Sequence, residues 1–174
     1  MALFDPRPAP HPAVGLAANG RACESVWDYP RPPRIEAVDR HVLVALGGAT
    51  VAESDRAARI VETAGAPVVY LAPEDVAEDM LQPASGSSFC EWKGAATYFD
   101  VVAGGEVARQ AAWAYLDPTP PFAALRGYVS FYPRLLECRL DGERVEPQPG
   151  GFYGGWVTAE ITGPIKGEPG SAGW

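Results

Sequence analysis

Along most of this chain, apolar residues recur in short alternating or β-branched runs that are closed by glycine, proline or aspartate, a pattern of strands joined by tight turns. Residues 34–38 and 41–46 read as two short strands around an Asp39-Arg40 turn, the second ended by Gly47-Gly48. Pro67-Val68-Val69-Tyr70-Leu71 is a β-branched run expected to lie buried as a strand. Residues 95–103 and 106–115 predict a long hairpin closed at Gly104-Gly105. Residues 127–132 and 136–140 add strands, and Asp141-Gly142 turns the chain into Arg144-Val145-Glu146. Helical signal is sparse. Pro73 suits a first helical position, Glu74 and Asp75 favour a first turn, and Val76, Met80 and Leu81 follow at helical spacing. Residues 57–61 suggest one further helical turn, and Pro83 to Ser88 a loop of turn-forming residues. The expectation is a mainly β, small α+β fold: short antiparallel sheets with one short helix.

Three stretches differ in texture. Residues 1–25, with Pro6, Pro8, Pro10, Pro12 and Gly15, have no sustained periodicity and read as an N-terminal arm. Residues 26–146 carry the strand pattern. Residues 147–174 form a Gly/Trp-rich C-terminal strap containing Gly150-Gly151-Phe152-Tyr153-Gly154-Gly155-Trp156, which is either a lid over a site or a seal on the edge of the core. Trp27-x-Tyr29 and Trp113-x-Tyr115 are each followed by a proline cluster, so the chain holds either two similar β meanders or a chance match.

At 174 residues, with 47% hydrophobic residues, the chain has the size of one domain with one core. The formal charge of −8 with scattered arginines argues against a nucleic-acid backbone as partner, since phosphate binding needs a concentrated basic face. A small ligand fits better. No apolar run could span a bilayer, and Met1-Ala2-Leu3-Phe4-Asp5-Pro6 lacks the pattern of a signal peptide, so a cytoplasmic location is expected. Cys23, Cys90 and Cys138 are odd in number and far apart, and His11 and His41 are isolated. No disulfide framework, bound metal or cofactor is expected from such a set.

The chemistry-bearing candidates begin with lysine. Only two of the fourteen basic residues are lysines, and each precedes a glycine: Lys93-Gly94 and Lys166-Gly167. Arginine supplies the other positive charges, so these positions point to a need for a compact, rotatable ammonium. In Cys90-Glu91-Trp92-Lys93-Gly94, a turn would let Cys90 approach Lys93, which would favour a nucleophilic thiolate. An extended segment would instead pair Lys93 with Glu91 at the surface and leave Cys90 inert. Gly94 would let a ligand approach the backbone. Ser54, Glu62 and Asp75 stand at the ends of predicted elements as polar partners, with the two carboxylates as candidate proton carriers. Trp113 and Tyr115 share a strand face, as would Trp27 and Tyr29, and such ledges either fill a core or line a ligand cage. Lys166 is expected outside this cluster, because the polar candidates gather around Lys93.

Taken together, Trp27-x-Tyr29-Pro30, Ser54, Glu62, Tyr70-x-x-Pro73-x-Asp75-Val76, Cys90-x-x-Lys93-Gly94-x-x-x-Tyr98, Trp113-x-Tyr115 and Phe131-Tyr132 resemble the bacterial and fungal family called domain of unknown function 427, in its actinobacterial form. The resemblance runs from about Trp27 to Glu146. It implies a compact β fold similar to β-tent domains, and it implies little about reaction. The zinc-binding Cys-x-x-Cys pairs of some β-tent relatives are missing here. The functional expectation is a small-molecule-binding domain, with catalysis open, whose pocket is made by Lys93, Cys90, Tyr70, Tyr98, Trp113 and Tyr115 with Ser54, Glu62 and Asp75 as polar orienters. The alternative is a non-enzymatic module that binds a peptide or a second copy of the chain as a homodimer.

Overall fold

A computed structural model describes residues 7–174; the Met1–Pro6 stretch lies outside the described residues. The fold is mainly β, made of several short antiparallel sheets without barrel closure. One four-stranded sheet has the order Val129–Phe131, Glu106–Ala114, Gly94–Ala103, Leu81–Cys90. A second runs Glu143–Arg144, Glu137–Leu140, Val42–Leu46, Ala49–Ser54. The third has three strands, Arg34–Ala37, Ala58–Val61 and Val68–Tyr70. Leu71 and Val129 exchange backbone hydrogen bonds of 2.8 and 2.9 Å, which joins the third sheet to the edge of the first.

The hairpin closed at Gly104-Gly105 forms as the alternation predicts, because its alternate residues Val101, Ala103, Ala108 and Ala112 all face the core. That core lies between the two four-stranded sheets and includes Val42, Val44, Val51, Leu71, Phe131 and Cys138. Cys138 is completely buried, and burial pushes its thiol far above the ordinary range.

Several local expectations change. Residues 58–61 form a central strand rather than a helical turn: Ile60 and Val61 are β-branched, and the strand is paired on both sides. The helix expected from Pro73 breaks into two 3₁₀ turns, Pro73–Asp75 and Glu78–Met80. Val76 bridges to Ala52, and the Ala77 N–H donates to Val51 at 2.8 Å, so the backbone between the turns belongs to the sheet. Residues 83–88 lie within a ten-residue strand, and their turn formers are accommodated by a register shift between Pro83 and Ser87. Trp27 sits in a 3₁₀ turn, Val26–Asp28, capped by Ser25, and not on a strand. The Trp-x-Tyr echo therefore does not reflect two equivalent meanders.

The terminal segments lie along one another and on the core. Glu24–Ser25 pairs in parallel with Ile161–Thr162, and Glu146–Pro147 pairs with Trp156–Val157. Trp156 is fully buried in the main core, and its indole N–H donates to the Phe131 carbonyl at 3.0 Å. The strap thus supplies core. Among the described residues, no helix is long and apolar enough to cross a membrane.

Candidate functional site

A second apolar cluster, centred on Ile60, Tyr70, Trp113 and Tyr115, lies where the three-stranded sheet meets the first four-stranded sheet. The wide side chains do not close over one another there, and a cavity of about 250 Å³ remains. Tyr70, Trp113 and Tyr115 form its floor. The Tyr70 and Trp113 rings meet edge to face at 6.3 Å, and Trp113 packs on Tyr132 at 4.5 Å. Burial raises all three phenols, Tyr70 and Tyr115 most strongly and Tyr132 to about 12, so they are neutral hydroxyls in the physiological range. Tyr98 and Ser88 share a hydrogen bond of 2.7 Å across neighbouring strands.

Lys93 and Cys90 enter from the hairpin end, where Cys90 pairs with Gly94 and residues 91–93 form the turn. The turn is held from outside. Thr119 donates its backbone N–H to the Lys93 carbonyl at 3.1 Å and its hydroxyl to the Trp92 carbonyl at 2.5 Å. Gly94 takes a positive φ of 102° and faces the Asp117–Thr119 backbone, so this glycine serves the turn and not a ligand. The segment is a turn and not extended: Lys93 and Cys90 both line the cavity, and the Lys93 ammonium lies 5.6 Å from the Tyr115 ring centre. Glu62 lines the same space and lies 3.7 Å from Arg31.

Ser54 and Asp75 are elsewhere. They form a shallow depression with His41, Glu53, Asp55 and Arg56. Ser54 donates to Asp75 at 2.6 Å, and Arg56 holds the same carboxylate with two hydrogen bonds of 3.0 Å. The Arg56 bonds, with that of Ser54, hold Asp75 below the usual carboxylate range. This is a fixed anion that ties a 3₁₀ turn to a strand end, and it carries no proton into the cavity.

The far wall comes from the strap. Lys166, Tyr153, Phe152, Gly154 and Gln148 all line the cavity, so the strap, which through Trp156 seals core, also walls a pocket, and Lys166 lies with Lys93 and not, as expected, outside its cluster. Gln148 accepts from the Ala66 N–H at 3.2 Å and donates to the Lys166 carbonyl at 2.9 Å, while the Lys166 N–H donates to Ala64 at 2.9 Å. These bonds lay the strap against the Thr63–Ala66 turn and aim Lys166 inward, its ammonium 4.9 Å from the Tyr153 ring centre. Lys166 is half-buried. Burial lowers its pKa, Glu62 opposes the shift, and the charges of Arg31 and Lys93 add to it. The available signal was its rarity, since it is the other of the chain's two lysines. Among the described residues, neither lysine has a carboxylate within ion-pair distance, and Glu62 is directed to Arg31.

Three cysteines are unpaired, and no group of three His, Cys, Asp or Glu side chains among the described residues could hold a metal ion. A family model described as "Domain of unknown function (DUF427)" matches residues 34–146, more than half of the chain. The chain belongs to the DUF427 family. No curated protein matches it. The matched region supplies the cavity's floor and the Lys93 turn; the wall carrying Lys166 follows it in sequence.

Proposed function

We propose that this DUF427 protein binds a small organic anion in the cavity between its sheets and its strap. The observation that carries the reading is the convergence of both lysines of the chain on one aromatic-walled space, with no carboxylate of the described residues within ion-pair distance of either. Among the described residues, arginines and His41 serve the ion pairs, so these ammoniums are kept for something other than pairing at the surface. Size narrows the class. An apolar cavity of about 150 Å³ holds benzene, so about 250 Å³ accommodates one ring with an acidic substituent. The tyrosine and tryptophan faces would stack on the ring, and an ammonium would hold the acid. In this reading the protein works in the cytoplasm, with unpaired thiols, and takes a small molecule rather than nucleic acid as its partner.

Saturation-transfer NMR with benzoate and a panel of other one-ring acids tests this directly. Benzoate should bind, and Lys93→Gln should weaken it while leaving the fold intact. Benzoate and its relatives binding equally to wild type and Lys93→Gln would remove the basis of the reading.

A second reading rests on Phe89 and Phe152, which stand at the cavity mouth with 78% and 74% of their surfaces exposed. Such a paired rim suits self-association or docking of a peptide. Sedimentation would show a dimer that dissociates in Phe89→Ser if this reading holds, and a monomer if it does not.

A further inference from the structure

The second lysine calls for more than charge. Lys93 alone gives the cavity a cation for an acid group, yet Lys166 brings another into the same confined space, and among the described residues neither has a carboxylate within ion-pair distance. An ammonium held half-buried against apolar rings, with like charge nearby, is destabilised relative to the free amine. The free amine is a nucleophile. We infer that Lys166 captures the carbonyl carbon of an aldehyde or ketone ligand as an imine. This deepens the proposed binding function and rests on it.

The placement supports the step. Hydrogen bonds at the Lys166 N–H and carbonyl hold its backbone in the closed wall, so from there the side chain enters the cavity. The methylene stem runs past Gly65, where a Cβ would stand in ordinary contact with the Lys166 Cε at 3.8 Å. The charged and titratable groups around the ammonium are Glu62, Arg31, Lys93, Cys90 and the Tyr153 ring. The shift of its pKa has the direction this chemistry needs, with burial as the main cause. Glu62 shares the cavity wall but is directed to Arg31, so solvent at the mouth is the proton acceptor.

The chemistry balances without an oxidant or reductant. The Lys166 ammonium gives one proton to solvent at the cavity mouth, and the freed lone pair attacks the carbonyl carbon. As the C–N bond forms, the C=O π pair moves to oxygen, which takes the proton that the nitrogen sheds, giving a neutral carbinolamine. The hydroxyl then takes up from solvent the equivalent of the proton first released, and the nitrogen lone pair expels it as water. The net change is ammonium plus carbonyl to protonated imine plus water.

The probe is 4-carboxybenzaldehyde with cyanoborohydride near neutral pH, which reduces any imine to a stable secondary amine. Because the chain has only two lysines besides its amino terminus, peptide mass mapping assigns the adduct directly. The reduced adduct should form on Lys166 several-fold faster than on Lys93 or the amino terminus, benzoate should compete, and Lys166→Arg should abolish it without changing the circular dichroism spectrum. Labelling that is equal at all amines, or fastest on Lys93, overturns the inference. Benzoate binding with no Lys166 adduct overturns the imine step alone. The absence of both overturns the binding function as well.

Discussion

Replacing Trp156 by alanine should cost about 3–5 kcal/mol, the range for deleting a large aromatic from a packed core. The side chain is 1% exposed and sits among residues of both four-stranded sheets, so little relaxation is available to close the hole. Loss of the indole N–H also leaves the Phe131 carbonyl without that partner, worth roughly 1 kcal/mol more. Against a total stability of about 5–15 kcal/mol, this is a large fraction of the whole. Equilibrium urea unfolding, followed by circular dichroism, would read it out. With a slope of about 2 kcal/mol/M, the midpoint should fall by roughly 2 M. Trp156→Phe keeps most of the volume and loses the hydrogen bond, and should cost less than half as much. A loss under about 1 kcal/mol for the alanine variant would show that residues 147–174 are an appendage, and the far wall of the cavity would then have no rigid support.

Three further outcomes follow from the site and its supports. Lys93→Arg and Lys166→Arg should both leave the fold intact yet weaken benzoate binding about 10- to 100-fold, because the larger planar guanidinium takes up space in a cavity of about 250 Å³ that the ligand needs; calorimetric titration with unchanged affinity would contradict this. Burial raises Glu160, but hydrogen bonds from Thr158, a backbone N–H and Asn19, with the charge of Arg40, hold it below the carboxylate range. A depressed folded pKa gives stability that is complete above the unfolded value, about pH 4.3, and is lost as pH falls below it, so Glu160→Gln should flatten the acid limb of a urea-midpoint profile; an equally steep limb would refute the assignment. Gly154→Ala should destabilise by about 1–3 kcal/mol, because its methyl would run into the Trp113 ring, whereas Gly151→Ala, which meets open space, should melt like wild type.

What can be read from the sequence is local. The Gly104-Gly105 hairpin and the Cys90–Lys93 turn depend on neighbours within a few residues, and alternation alone places Trp113 and Tyr115 on one face. Spacing misleads over residues 57–61 and 73–81 because their backbone bonds go to strands distant in sequence, which short-range periodicity does not register. Ser54 and Asp75 group with Lys93 as polar residues at element ends, but sequence does not say which face of a sheet an end serves; Arg56 claims them instead. Lys166 stands out by its rarity. Its destination is hidden because it depends on Gln148 and Ala64 clasping the strap across long loops.

The clasp through Gln148 is a pair of hydrogen bonds between packed anchors, Trp156 before Lys166 and Ile165 beside it, so the stretch it holds can open locally without unfolding the sheets. A molecule bridging the two faces would favour the closed form by its affinity for it, and the opening rate would fall with occupancy. The Ala66 and Lys166 amides are therefore native reporters: their exchange with deuterated solvent should slow as the cavity fills, while amides in the Gly104-Gly105 hairpin keep their pace. An orphan binding site would thereby become its own screen, able to register whichever compound in a mixture fills it.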